Sequence, residues 1–258
     1  MDHAAKVRLG REIAKRVGRR FGPKVVFRTL AGSVARGEDT QHSDLEMRFV
    51  TREPIRLPGM SRDGYREFLY RGLQTQIEFR TEAEIEEILG NPGPGWEIQV
   101  WEYLEPVPIY GDPAVIRATV AKFRDLVASL PDADFRRAAG LALMWARGAL
   151  GKIRNAVEAA DDARAVEAAA GMGHSVASCV ALANRRYTAH ADLRSLEESR
   201  SFPDLPANYA ALMRRLYLAR SPGDILAAAL ALCAACETFA RSRKIEVETV
   251  ERLDDLGL

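Results

Sequence analysis

The run from Gly32-Ser33-Val34-Ala35-Arg36-Gly37 to Ser43-Asp44-Leu45-Glu46-Met47 limits what this chain can fold into more than any other stretch, because it sets a polar turn between two segments of strand pattern. The apolar run Val25-Val26-Phe27 to Leu30 predicts one strand, and Leu45, Met47, Phe49 and Val50 predict a second with polar residues alternating against them. A strand that buries Leu45 and Met47 turns Asp44 and Glu46 together to its other face. Paired carboxylates are hard oxygen donors and suit Mg²⁺, which takes one or two of them and completes its octahedron with waters and substrate phosphates. Just past the first strand, Gly32 lets the backbone approach a phosphate closely, and the N–H groups and the Ser33 hydroxyl supply donors.

Gly32-Ser33, then Ala35-Arg36-Gly37, then Ser43-Asp44-x-Glu46, with ten residues between Ser33 and Asp44, resembles the signature of the nucleotidyltransferase superfamily that includes DNA polymerase beta and the aminoglycoside nucleotidyltransferases. The resemblance implies metal-assisted transfer of a nucleoside monophosphate from a nucleoside triphosphate (NTP) to a hydroxyl acceptor, with pyrophosphate released. Gly32, Ser33 and Arg36 would then hold the phosphates, and Asp44 and Glu46 would hold one or two Mg²⁺. The alternating segment Leu73 to Phe79 predicts a third strand whose only carboxylate is Glu78. In the superfamily a third metal ligand or catalytic carboxylate stands on the strand beside the Asp-x-Glu strand. That role falls to Glu78, with Gln76, two residues away on the same face, as the other position an alignment allows.

Composition adds bounds. A chain of 258 residues with 47% hydrophobic residues can build one large domain or two ordinary ones. Lys+Arg 37 against Asp+Glu 36 leaves a net charge of +1, so the balance does not call for nucleic acid or a membrane surface. Met1-Asp2-His3-Ala4 lacks an apolar signal core, and no uninterrupted apolar run reaches the ~20 residues of a membrane span. The expectation is a cytoplasmic protein with free thiols. Cys233 and Cys236 have C-x-x-C spacing, but they lie in an apolar helical pattern without a second pair, and Cys179 stands apart.

In chain order, residues 4–21 form a basic amphipathic helix ended by Gly22-Pro23, and Thr81 with Glu84 predicts a capping box opening a helix to about Leu89. Ile98, Val100 and Trp101, and later Val107 to Tyr110, read as extended and are expected to finish the sheet; Tyr65 to Tyr70 cannot be typed. From Pro113 onward Ala, Leu, Arg and Glu dominate and alternation disappears. Helices are expected at 114–130, 134–160, 163–188, 208–219 and 224–244. Short connections between them favour an antiparallel bundle. The expected class is α+β: an N-terminal mixed-sheet nucleotidyltransferase domain over 1–112, then a helical bundle over 113–258.

Gly151-Lys152-x-Arg154-Asn155 extends the resemblance to the C-terminal helical domain of kanamycin nucleotidyltransferases, whose lysine reaches the nucleotide phosphates; Lys152 takes that role here. Those enzymes place a glutamate general base one helical turn earlier, where this chain has Gly148, and glycine transfers no proton. Positioned bases contribute typically ~10²–10⁴ in rate, which puts both activity and an aminoglycoside-like acceptor in question. The resemblance also implies a homodimer with a shared active site. Two other functions are open: a nucleotide-binding module left chemically idle by Gly148, and a HEPN-type ribonuclease suggested by the R-x4-H spacing of Arg185 and His190.

Overall fold

Asp2 opens the first helix, α1 (His3–Phe21), by accepting a hydrogen bond from the Ala5 N–H. Leu9, Ala14 and Val17 are buried along one side of α1, so the basic amphipathic reading holds, except that Lys6 is buried among them. The computed structural model describes residues 1–190 and 194–247. After α1 come β1 (Val25–Ala31), α2 (Gly32–Arg36), β2 (Leu45–Thr51), β3 (Tyr65–Tyr70), β4 (Leu73–Thr81) and α3 (Glu82–Leu89). Then follow α4 (Trp96–Gln99), α5 (Trp101–Leu104), β5 (Val107–Gly111) and α6 (Pro113–Ser129).

Among the described residues the strands form one five-stranded sheet in the order β3-β4-β2-β1-β5. Only the β2–β4 pair is parallel, which makes the sheet mixed as expected. Leu45, Met47 and Phe49 point to one face, where with Leu30, Ile77 and Phe79 they pack beneath Leu9, Ala14 and Val17 of α1. Phe49 stacks on Phe79 with ring centroids 4.7 Å apart. The opposite face carries Glu46 and Arg48. The capping box at Thr81 and Glu84 forms as predicted.

One segment left untyped by the sequence takes a definite form, and one local expectation changes. Tyr65–Tyr70 is an edge strand, joined to β4 by a tight turn at Arg71 and Gly72, both at positive φ; with one side open to solvent, its apolar signal is weak. Ile98, Val100 and Trp101 do not extend the sheet. They lie in or beside α4 and α5, and the buried positions Val100, Tyr103 and Leu104 follow the i, i+3, i+4 spacing of a helix.

The chain divides into two compact units: Met1–Gly90 with Val100–Leu130, and Asn91–Gln99 with the residues from Pro131 onward. α6 therefore belongs to the first unit, and the segment carrying α4 to the second. The second unit contains α7 (Asp132–Glu158), α8 (Asp162–Ala183), α9 (Arg194–Ser199), α10 (Tyr209–Leu218) and α11 (Pro222–Ser242). α7 and α8, joined by a short turn, make the broadest helix contact, and α11 packs against both and against α10. Buried alanines on both helices, such as Ala139, Ala142 and Ala146 on α7 and Ala165 and Ala169 on α8, are small enough to let packed backbones approach. Within this unit Trp96 meets Phe135 edge to face at 5.3 Å, and the Ser178 hydroxyl donates to the buried Glu97 carboxylate at 3.0 Å. α8 stops at Ala183 rather than Thr188: the Asn184 amide turns back to the carbonyls of Val180 and Asp204, and Arg185 adopts φ +53°. By length and composition α8 and α11 could each cross a membrane, but α8 is largely buried here against its neighbours.

Candidate active site

The end of β1 brings the phosphate turn and the acidic strand together. Ala31 is registered with Glu46 across the β1–β2 pair, and the next residue, Gly32, has φ +59° as it turns into α2. A Cβ on Gly32 would lie 1.7 Å from Glu46 Oε2, so this position has to be glycine for the carboxylate to rest against the turn. Ser33 and Arg36 follow on α2, and Asp44 immediately precedes β2, near enough for its charge to act on Glu46. Arg36 pairs with Glu38 at 3.0 Å and lies over the Trp101 ring at 5.6 Å. Burial pushes the Glu46 carboxyl above the usual carboxylate range; Arg48 opposes this, while Glu102 and Asp44 reinforce it. Gly32→Ala is expected to cost about 1–3 kcal/mol from backbone strain alone, with displacement of Glu46 added. Urea unfolding checks this, and an unchanged midpoint would contradict the packing of Glu46 on Gly32.

The loop between Arg36 and Asp44 is anchored from below by a basic residue of α1. The fully buried Lys6 ammonium donates to Asp39 at 3.1 Å and to the Thr40 carbonyl at 2.5 Å, and His3 reaches the other Asp39 oxygen at 2.5 Å. Burial works to raise the Asp39 carboxyl, but the bonds from His3 and Lys6 outweigh it and hold the group below its ordinary value. Lys6 carries no sequence signal of its own in a helix so rich in arginine and lysine.

β4 settles which residue stands beside the acidic pair. In the parallel register Glu46 is opposite Gln76, and Arg48 is opposite Glu78. Both oxygens of Glu78 are engaged: Oε2 lies 2.7 Å from Arg48 Nε, and Oε1 accepts from Arg80 Nε at 2.7 Å. Arg48 Nε also donates to Glu102 on α5 at 2.7 Å, Arg48 Nη2 is 3.9 Å from Glu46, and Arg48 Nη1 is buried without a hydrogen-bond partner. Burial acts to lower the Arg48 pKa, but Glu102 and Glu78 outweigh it and raise it; burial raises that of the nearby Tyr103. Glu78, expected as a third metal ligand, thus belongs to an arginine network one row along the sheet. Arg48 and Glu102 were not singled out from sequence, although Arg48 continues the 44, 46, 48 spacing of the polar face.

In the second unit, Lys152 is an exposed residue of α7 that lines a cavity of about 420 Å³ with Asn155, Arg164, Glu167 and Gly171. Among the described residues, and apart from the backbone of its own helix and its chain neighbours, Gly148, one turn earlier, has no heavy atom within 4 Å of where its Cβ would be, so the helix tolerates glycine there without needing it. Arg185 and His190 do not share a helix. Both lie beyond the end of α8, Arg185 paired with Asp132 at 2.6 Å and His190 with Glu198, which removes the geometric basis of the ribonuclease reading. The three cysteines are buried and unbridged, and burial pushes the Cys179 thiol up to about 12.

Among the described residues no three His, Cys, Asp or Glu side chains form a ready metal cluster. The donor chemistry of Asp44 and Glu46 nevertheless fits a Mg²⁺ whose remaining ligands come from water and phosphate, since Mg²⁺ is commonly held by one or two carboxylates.

A five-stranded mixed sheet with a Gly-Ser turn set against an Asp-x-Glu strand, followed by a helical bundle, defines the class of nucleotidyltransferase-like proteins. The crystal structure of a nucleotidyltransferase-like protein from Exiguobacterium sibiricum 255-15 shares this fold, with a TM-score of 0.51 at 12% identity over 90% of this chain and 75% of that one. No curated protein matches this chain at a significant level. Residues 117–246, half of the chain, match the model of the KNTase C-terminal domain, and the chain belongs to that kanamycin nucleotidyltransferase-like family.

Proposed function

We propose that this protein moves a nucleoside monophosphate from an NTP to a hydroxylated small acceptor and releases pyrophosphate. The observation that carries this reading is the packing of the Glu46 carboxylate into the space a Cβ on Gly32 would fill, with Asp44 beside it, because it joins an acid pair of a kind that suits a cation to a turn that can face phosphate. In the transfer the acceptor oxygen bonds to the α-phosphorus, the bond to the bridging oxygen breaks, and pyrophosphate leaves with the electron pair. Ser33 and Arg36 bind the β- and γ-phosphates, and Lys152 takes the family's role of steadying the departing charge. A Mg²⁺ held by Asp44 and Glu46 would supply charge neutralisation at the phosphates. Glycine at position 148 takes no proton, so the acceptor gives its proton to another group of the protein, to water or to a group of its own.

The test is pyrophosphate release with Mg²⁺ and each of the four ribonucleoside triphosphates, against panels of aminoglycosides, other hydroxylated small molecules and candidate proteins. Release that depends on one acceptor class and disappears in Asp44→Asn supports the reading and names the substrate. Nucleotide binding by calorimetry, with no release against any acceptor, would favour the second reading, an idle nucleotide-binding module; the empty space around Gly148 is the observation behind it.

We further propose that the protein is a homodimer. Leu141, Met144 and Trp145 are exposed along one face of α7, at i, i+3 and i+4, and Gly148 continues the stripe. Light scattering at micromolar concentration is expected to give twice the chain mass, and a monomer would count against the family's shared-site arrangement.

A further inference from the structure

We propose that the site takes one divalent cation per bound nucleotide rather than two, and that Gln76 is the residue that sets this number. The inference rests on the nucleotidyltransferase reading and concerns how this chain's donors are placed within it.

The sheet register ranks the side chains in rows across the polar face. Ala31, Glu46, Gln76 and Glu67 occupy one row on β1, β2, β4 and β3; Thr29, Arg48, Glu78 and Tyr65 occupy the next. The place beside Glu46, where a third carboxylate would complete a second cation site, is therefore held by a neutral amide. An amide oxygen can ligate a cation but brings no charge, and two divalent ions in close contact need several negative charges between them.

No neighbouring carboxylate is free to fill the place: Glu102 on α5, whose charge also acts on Glu46, is held at 2.7 Å by Arg48 Nε. Glu78 is buried one row away, with each oxygen held at 2.7 Å by a different arginine. Turning it toward Glu46 would strip Arg48, whose Nη1 already lacks a partner, of one of its two close anions. Glu67 is exposed at the far end of the row, with the whole of β4 between it and Glu46. Two strand spacings are about 10 Å, too far for the pair to share an ion. The positive charge beside Glu46 is Arg48, 3.9 Å away, and it repels any second cation on that side.

The experiment is Mn²⁺ binding followed by electron paramagnetic resonance, with a non-hydrolysable α,β-methylene triphosphate at saturation. The parent is expected to hold one Mn²⁺ per bound nucleotide up to millimolar metal. Gln76→Glu, a change of one atom at a half-buried position, is expected to hold two. Two equivalents in the parent would overturn the proposal while leaving the nucleotidyltransferase reading standing. One equivalent in Gln76→Glu, with nucleotide still bound, would also overturn it, because the amide would then not be what limits the count. If no Mn²⁺-nucleotide associates with the parent, the proposal and the functional reading fail together. Circular dichroism and a melting curve of Gln76→Glu establish that the variant is folded.

Discussion

Asp44→Asn is expected to fold like the parent and to release pyrophosphate at least ~10²–10³-fold more slowly, the size of effect seen when one electrostatic group is removed from a polar active site. The expectation of an intact fold comes from the surroundings of Asp44. It precedes β2, is only half-buried, and among the described residues its side chain makes no ion pair or hydrogen bond, so the fold does not depend on its charge. Asparagine has nearly the same shape, and surface changes of this kind usually alter stability by no more than about 0.5 kcal/mol. What disappears is a negative charge next to Glu46, which burial already makes reluctant to ionise. With Asp44 neutral, the pair loses half the charge with which it attracts a cation. Pyrophosphate release and a melting curve, measured on the same preparation, separate the two effects. Full activity in the variant would remove Asp44 from the site.

Local features of this site were legible in the sequence because they depend on residues close together in the chain. The Gly-Ser turn, the alternation that puts 44 and 46 on one face, and the Thr81–Glu84 cap each fit within a few residues and have one favoured backbone solution. The choice between Gln76 and Glu78 was not legible. Both lie on the same face of β4, and a slide of two residues keeps every apolar side chain buried, so pattern alone cannot fix the register. Pairing with a strand some thirty residues away fixes it. Lys6 escaped for a related reason: a buried cation on a basic helix looks like its solvated neighbours until Asp39 is brought to it from another segment. The helices α4 and α5 were misread because Ile98 and Val100 alternate, while the helical spacing becomes visible only when Tyr103 and Leu104 are included. Lys152 and Gly148 are read through a family pattern that already sets them one helical turn apart, and both lie on α7.

Arg48→Met is expected to destabilise the protein by about 3 kcal/mol, at the low end of the range for breaking a buried ion pair, and to do so through the anions it leaves behind. Glu78 keeps Arg80, so it remains partly compensated. Among the described residues Glu102 has no second cation close by; its side chain is 19% exposed and would have to turn to solvent or take up a proton. The double variant Arg48→Met with Glu102→Gln is therefore expected to recover most of the loss, since a neutral pair carries little desolvation cost. Urea midpoints for the two single variants and the double give the coupling directly. If the double is as unstable as Arg48→Met alone, the loss comes from packing of the guanidinium stem and not from stranded charge. Recovery of stability would mean that the network is not needed to hold the sheet together. Its remaining consequence is positional: Arg48 and Arg80 keep Glu78 turned away from Glu46, and the fold tolerates a buried guanidinium with an unpartnered Nη1 at the edge of the site where charge matters most.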